Sequence, residues 1–167
     1  EGPVPVGSRL ELFVDDELIE LLIATGFAEV WLAKEGHDGL IFINFLKKID
    51  VPLTYFLYGA MLAGVDGVAV GAGNPDSIPA LCSRLARHEP VSEQVHVLYA
   101  ESGETFTLPF DPRSIAGGRL ASNELRRPAV LAIVSHQDAV RALAASSRGP
   151  PDGFIIEHNT AGGHNAN

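Results

Sequence analysis

The chain has 167 residues, 46% of them apolar, and a formal net charge of -9. That length suits one hydrophobic core and argues against two, and the composition is that of a globular chain rather than a disordered one. The charge argues against nucleic acid or an anionic membrane surface as partner, and no apolar run approaches the ~18 uncharged residues of a membrane span.

With no basic start followed by an apolar segment, the expectation is a soluble, cytoplasmic chain. Cys82 is the single cysteine, cannot form an internal disulfide and reads as a small core residue. An anionic cofactor remains compatible with the charge, because backbone amides at a glycine turn bind phosphate without net positive charge.

In chain order, residues 1–7, with two prolines and two glycines, read as an extended lead-in. The spacing of Leu18, Leu21, Leu22 and Ile23 predicts a helix capped by Asp15 or Asp16 and stopped by Gly26. Phe27 to Ala33 then reads as a strand, with Lys34 to Gly39, including His37, as a polar loop at its carboxyl end. A second apolar run, Leu40 to Ile43, ends on Asn44. A helix over Pro52 to Ala63, closed by Gly64, leads to Val65 to Val70, whose near-absence of polar residues is the signature of a parallel strand buried on both faces. It runs into the turn Gly71-Ala72-Gly73-Asn74-Pro75.

Ser77 to Arg87 reads as the next helix and Val95 to Phe110 as an inserted hairpin with Ser102-Gly103-Glu104 in its middle. After a polar stretch from Pro112 to Arg127, Ala129 to Val134 is a buried strand and Gln137 to Ala145 a short helix. Gly149-Pro150-Pro151 turns the chain into a last apolar strand, Phe154-Ile155-Ile156, which ends at Glu157 and His158 and runs on to Ala161-Gly162-Gly163-His164.

Glycine or asparagine at the ends of successive buried strands predicts an α/β fold, either a (β/α)₈ barrel of TIM type or an open doubly wound sheet, with sites at the carboxyl ends of the strands. Five parallel strands are expected, near Val30, Ile41, Val68, Leu131 and Ile155, with Asn44, Gly71 and His164 at one end. A complete barrel takes about 250 residues, so residues 1–167 are expected to be a single domain forming part of a larger barrel, incomplete at both ends. On spacing alone His164 is equally an ordinary loop histidine, Asn44 a helix cap, and His37 a solvated loop residue. His88, His96 and His136 read as structural. No metal site is expected: His158 and His164 stand six apart on a glycine loop, without cysteines or a paired His-Glu helix spacing.

Four segments in register carry a family resemblance. Glu157 to Asn165, with Ala161-Gly162-Gly163-His164 at its heart, resembles the AGGH loop of the FMN-dependent nitronate monooxygenases, also called 2-nitropropane dioxygenases. Ala33 to Gly39, Ile43-Asn44 with Lys48-Ile49, and Leu57 to Asp66 are similar to further segments of that family. The resemblance implies an FMN-dependent oxidoreductase acting on nitronates, nitroalkanes or a similar acidic carbon. It implies His164 as the active-site histidine, Asn44 as a contact of the FMN ring system, and Gly162 and Gly163 as the close approach to the flavin. Gly71 and Gly73 are assigned to the flavin pocket, and His37, Glu157 and His158 to the substrate pocket. His158 and Asn159 depart from the glycine and proline expected after the strand's glutamate, and the family's phosphate loops are expected beyond this stretch.

Histidine suits the chemistry, since its ordinary pKa serves both as a base for a neutral nitroalkane and as a donor to the nitro oxygens. Two other readings remain open. One is a flavin-dependent enoyl-thioester reductase of fatty-acid or polyketide type, which looks alike at this loop but requires NAD(P)H. The other is a non-catalytic truncated barrel. The partners expected are a small-molecule substrate and, for the protein surface, a second copy or the remaining part of the barrel.

Overall fold

Helix formation at the amino end overrides the glycine that the sequence offers as a stop. The computed structural model describes residues 9–158, 160 and 161. After a short strand β1 (Arg9–Glu11), helix α1 runs unbroken over Asp16–Ala33. The Asp15 carboxylate caps it by accepting from the Glu17 amide at 2.9 Å. The expected stop at Gly26 and the expected strand Phe27 to Ala33 are therefore corrected, since both lie inside α1.

The reason is the partner helix, α2 (Asp50–Leu62). A Cβ on Gly26 would collide with the carbonyl oxygen of Phe56, and one on Gly59 would collide with the carbonyl oxygen of Ile23. Each helix thus gives up a side chain where the other's backbone passes. A helical glycine costs roughly 1 kcal/mol relative to alanine, and burial along the whole crossing offsets it. The β-branched and aromatic residues that suggest a strand are divided between the two sides of α1. Val30 enters the core at 1% exposure, whereas Trp31 stays 57% exposed and stacks on Phe27 with ring centroids 5.6 Å apart.

Beyond α1 the expected order holds. Strands β2 (Phe42–Leu46) and β3 (Gly67–Gly71) flank α2, and β3 feeds α3 (Ile78–Ala86). The hairpin follows as β4 (Val91–Val95) and β5 (Thr105–Phe110), its first strand ending rather than starting at Val95. Short 3-10 turns over Pro112–Ala121 lead to β6 (Ala129–Val134), α4 (Gln137–Ala144) and β7 (Gly153–Ile156). β2, β3, β6 and β7 lie side by side in that order and all parallel. A separate small sheet joins β1 parallel to β5 and β5 antiparallel to β4. The chain is therefore an α/β protein. Among the described residues its main sheet has four parallel strands, not five, and the strands form two open sheets rather than a closed barrel.

The core lies between the sheets and the helices. Tyr55 and Tyr58 on α2 meet Phe110 of β5 edge to face, with centroids 5.1 and 5.6 Å away. Burial pushes both phenols up to about 12. The Tyr58 hydroxyl lies 2.9 Å from His88 Nδ1, and His88 Nε2 lies 2.7 Å from the Asn123 carbonyl oxygen. A carbonyl only accepts, so Nε2 carries the hydrogen and Tyr58 donates to Nδ1. Cys82 is fully buried, and burial pushes its thiol up to about 12.

The amino edge of the main sheet is tied by carboxylates. Asp66, just before β3, accepts from the Ile41 amide and from Lys34 Nζ, at 2.9 and 2.8 Å, and from Arg126. These partners, the Ile41 amide foremost, hold its carboxyl well below the usual carboxylate range. Asp152, before β7, is opposed by partial burial, but the Val130 amide at 2.7 Å and Arg127 at 2.8 Å outweigh that and lower its carboxyl too.

Two outcomes follow from these contacts. Gly26→Ala and Gly59→Ala should each destabilise the protein by about 1–3 kcal/mol in denaturant unfolding, with Thr25→Ala on the outer side of α1 as a control within about 0.5 kcal/mol. If alanine instead adds the ~1 kcal/mol of its better helix propensity, the close crossing is wrong. Asp66→Asn should cost roughly 2–3 kcal/mol at neutral pH. Because the folded carboxyl is depressed, its contribution is complete above the ordinary carboxylate pKa and fades as pH falls below it. The variant should accordingly show a shallower loss of stability with acid than the parent, read from unfolding midpoints at stepped pH.

Candidate functional site

Register and burial together divide the main sheet into two unlike faces. Parallel partners point the same way, so Ile43, Phe45, Val68, Val70, Val130, Ala132, Val134 and Phe154 share one face, which packs on the helices as core. The opposite face carries Phe42, Asn44, Leu46, Ala69, Leu131, Ile133 and Ile155, every one of them half-buried or exposed. Its centre is thin. Gly67 leaves room for the Phe42 ring, a Cβ on Gly71 would stand 3.0 Å from Ile133 Cβ, and one on Gly153 would stand 2.9 Å from Leu131 Cδ2. Among the described strand residues of this face, Asn44 is the one polar side chain.

Asn44 is expected at a strand's end, but it lies in mid-strand, opposite Ala69. The ladder continues past it because the Lys47 amide donates to the Gly71 carbonyl at 2.8 Å and the Lys48 amide to the Ala72 carbonyl at 3.1 Å. Its exposed position removes the helix-cap reading: the N-cap position of α2 belongs to Ile49. Asn44 also borders an apolar groove of about 270 Å³ along the β2 edge, with Phe45, Pro52 and Phe56.

The loops that leave the carboxyl edge are those after β2, β3, β6 and β7. Gly71 closes β3, and its missing Cβ is explained by Ile133. Gly73 stands in the following turn with φ 144°, and a Cβ there would lie 3.1 Å from Lys47 Cβ, so close packing and backbone conformation both call for glycine. Gly73 does not adjoin the Asn44 groove; it lines a larger polar cleft of about 770 Å³ on the side of the small sheet. After β7, the Glu157 amide donates to the Val134 carbonyl at 2.8 Å. His158 Nδ1 lies 2.8 Å from the Thr160 hydroxyl, and the Ala161 amide donates to the His158 carbonyl at 2.9 Å. The polar residues at this entrance therefore fold the loop on itself. Gly162, Gly163 and His164 lie outside the described residues.

His37 is placed elsewhere. With its supposed strand replaced by α1, it precedes β2 and belongs to the amino edge. Nε2 lies 2.7 Å from the Ala33 carbonyl oxygen and Nδ1 accepts from the Gly39 amide at 2.9 Å, so the ring closes the turn after α1. His136 caps α4 by accepting from the Ala139 amide at 3.2 Å. His96 lines the polar cleft, with its amide on Asp50 at 3.0 Å. Apart from Gly73, which sequence reasoning assigned to a flavin pocket, the residues of that cleft, Arg9 and Ser77 among them, were not singled out as a site. The signal available is the polar residue at every second position of the inserted hairpin, Ser92, Gln94, Thr105 and Thr107, which marks one side of the small sheet as facing solvent or ligand.

Comparison with known protein families, with curated proteins and with solved structures finds no match. The two faces of β2 make a direct check. Asn44→Leu should leave the unfolding free energy within about 0.5 kcal/mol of the parent, since Asn44 supports nothing in the core. Phe45→Ala, which removes an edge-to-face contact with Phe56 at 5.8 Å, should cost at least ~2 kcal/mol. A large loss from Asn44→Leu would show that this amide is structural.

Proposed function

We propose that the chain is part of an FMN-dependent oxidoreductase of the nitronate monooxygenase type, and that its parallel strands belong to a (β/α)₈ barrel whose interior is the uncovered sheet face. The observation that carries this reading is the apolar, glycine-thinned face with a single amide, Asn44. That residue lies in one of the four segments that resemble the family. A flat aromatic ring system with a polar edge suits such a surface, because the ring buries apolar area and the amide answers the edge. The β7 loop leaves the carboxyl edge of this face, which supports bringing Gly162, Gly163 and His164 to the ring.

Bound FMN would supply the two-electron redox capacity, while the chain supplies position and electrostatics. Asn44 holds the ring's polar edge by hydrogen bonding. His164 takes the proton from the acidic carbon of a neutral nitroalkane at an imidazole nitrogen, or donates to the nitro oxygens of a nitronate that has already lost it. His158 shapes the entrance to this loop through its bonds to Thr160. A small molecule is the substrate, and a cytoplasmic setting is in keeping with the buried, unpaired Cys82.

The test is the flavin absorbance of the purified full-length protein, followed by turnover of a neutral nitroalkane and of its preformed nitronate. Flavin should copurify, and Asn44→Ala should lower its content. His164→Asn should reduce nitroalkane turnover by ~10²–10⁴-fold while sparing the nitronate. Turnover of an enoyl thioester with NAD(P)H and none of nitronate would replace the reading with the reductase, and a protein without flavin would leave a non-catalytic barrel.

A further inference from the structure

The polar cleft beside the carboxyl edge has chemistry of its own. It lies between the loops after β2 and β3 and the small sheet, and its lining includes the cations Arg9, Lys47, Lys48 and Arg148 against the carboxylates Asp50, Asp76 and Glu93. Cations thus outnumber carboxylates here, in a chain whose net charge is -9. Ion pairing leaves two cations, Arg9 and Lys48, against one carboxylate, Glu93, without a partner of opposite charge among the described residues. Lys47 is matched by Asp50 at 2.6 Å, Arg148 approaches Asp76 at 3.6 Å, and Glu93 accepts from the Ser77 hydroxyl at 2.7 Å. Among the described residues Arg9 has only neutral partners, Ser92 at 3.1 Å and Thr107 at 3.4 Å, and Lys48 has no side-chain partner.

The β3–α3 loop adds donors to the same wall. Ala72 and Gly73 both take positive φ, 51° and 144°. The amides of Gly73 and Asn74 donate to no acceptor among the described residues, whereas the Asp76 amide is taken by Asn74 Oδ1 at 3.1 Å. Consecutive free amides in a turn of this kind form an anion-binding concavity.

We propose that this cleft binds a small phosphorylated, hydroxyl-rich molecule of the sugar-phosphate class, with the phosphate held by Arg9, Lys48 and the Gly73–Asn74 amides. A phosphate monoester brings three acceptor oxygens and nearly two negative charges, which answer two unmatched cations and two amides better than the single charge of a carboxylate. The body of the ligand is polar because, among the described residues, Val95 is the only hydrocarbon side chain in the lining; the hydroxyls of Thr105 and Thr107 and the carboxylate of Glu93 can pair with hydroxyl groups. An aromatic ring would gain little in such a lining. The inference goes beyond the flavin reading and does not require it.

The experiment is a titration of the full chain with ribose phosphate at low ionic strength, followed through backbone amide resonances, with ribose as the uncharged control. Saturable shifts centred on Gly73, Asn74 and Lys48 are expected, with no saturation by ribose. The double variant Arg9→Gln, Lys48→Gln should bind at least ~10-fold more weakly. Its thermal midpoint should be unchanged, since both side chains are exposed. Arg9→Lys with Lys48→Arg should retain binding if charge is what counts. Shifts that fail to saturate, that scatter over the surface, or that persist unchanged in the double variant overturn the proposal. Flavin content kept while ribose phosphate fails to bind would overturn this inference alone, and the reverse would overturn only the flavin reading.

Discussion

The close crossing of α1 and α2 is the contact on which the rest of the structure depends. Two glycines, Gly26 and Gly59, remove the side chains that would hold the helices apart, and each helix then packs against the other's carbonyls. With α1 packed on it, α2 buries Tyr55, Leu57, Tyr58 and Met61, all of them 2% exposed or less, and sets Tyr55 and Tyr58 against Phe110 of β5. The two helices share one core with Ile43, Phe45, Val68, Val70 and Val130, while Ala132, Val134 and Phe154 pack with Leu143 of α4. The opposite face, which no helix of the described residues covers, is left for other chemistry.

The two edges of the sheet divide the work between them. At the amino edge Asp66 and Asp152 each collect a backbone amide and a basic side chain, so that the starts of β3, β6 and β7 are fixed by short, charge-assisted bonds. At the carboxyl edge, backbone bonds from Lys47, Lys48 and Glu157 and side-chain pairs such as Lys47–Asp50 hold the chain, and the loops there also carry free amides, unmatched cations and glycines. Rigidity at one edge is what allows irregularity at the other. Lys34 and Asp66, thirty-two residues apart in sequence, meet each other at the amino edge and help anchor the sheet there.

Most of the fold was legible because the patterns are strong and local. The helix over Pro52 to Ala63, the strand Val65 to Val70 and the helix Ser77 to Arg87 stand within a few residues of their observed bounds. The failure at Phe27 to Ala33 has a specific origin. A glycine inside a helix and a glycine ending one are the same letter, and what separates them here is Phe56, thirty residues away and unknown to any local pattern. That single misreading placed His37 at the wrong edge. Asn44 was misplaced for a related reason, since a polar residue that ends an apolar run also fits a strand whose alternate positions face outward. The polar cleft was invisible because Arg9, Lys48, Gly73 and Thr107 come from separate stretches, and no pattern in the sequence shows that they line one cleft. What was legible there was only the alternation of polar residues along the hairpin.

The stacking of Trp31 on Phe27 has a spectroscopic consequence. Trp31 is the only tryptophan in the chain, and it sits on the outer side of α1, more than half exposed, rather than in the core. Its emission in the native state is therefore that of an indole already in contact with water, so denaturation changes its colour little, while separation from the Phe27 ring alters its local packing. Tryptophan fluorescence would thus follow the outer surface of α1, and the state of the core is better read from the buried tyrosines Tyr55 and Tyr58, whose phenols lose both burial and partners when the sheet and helices come apart.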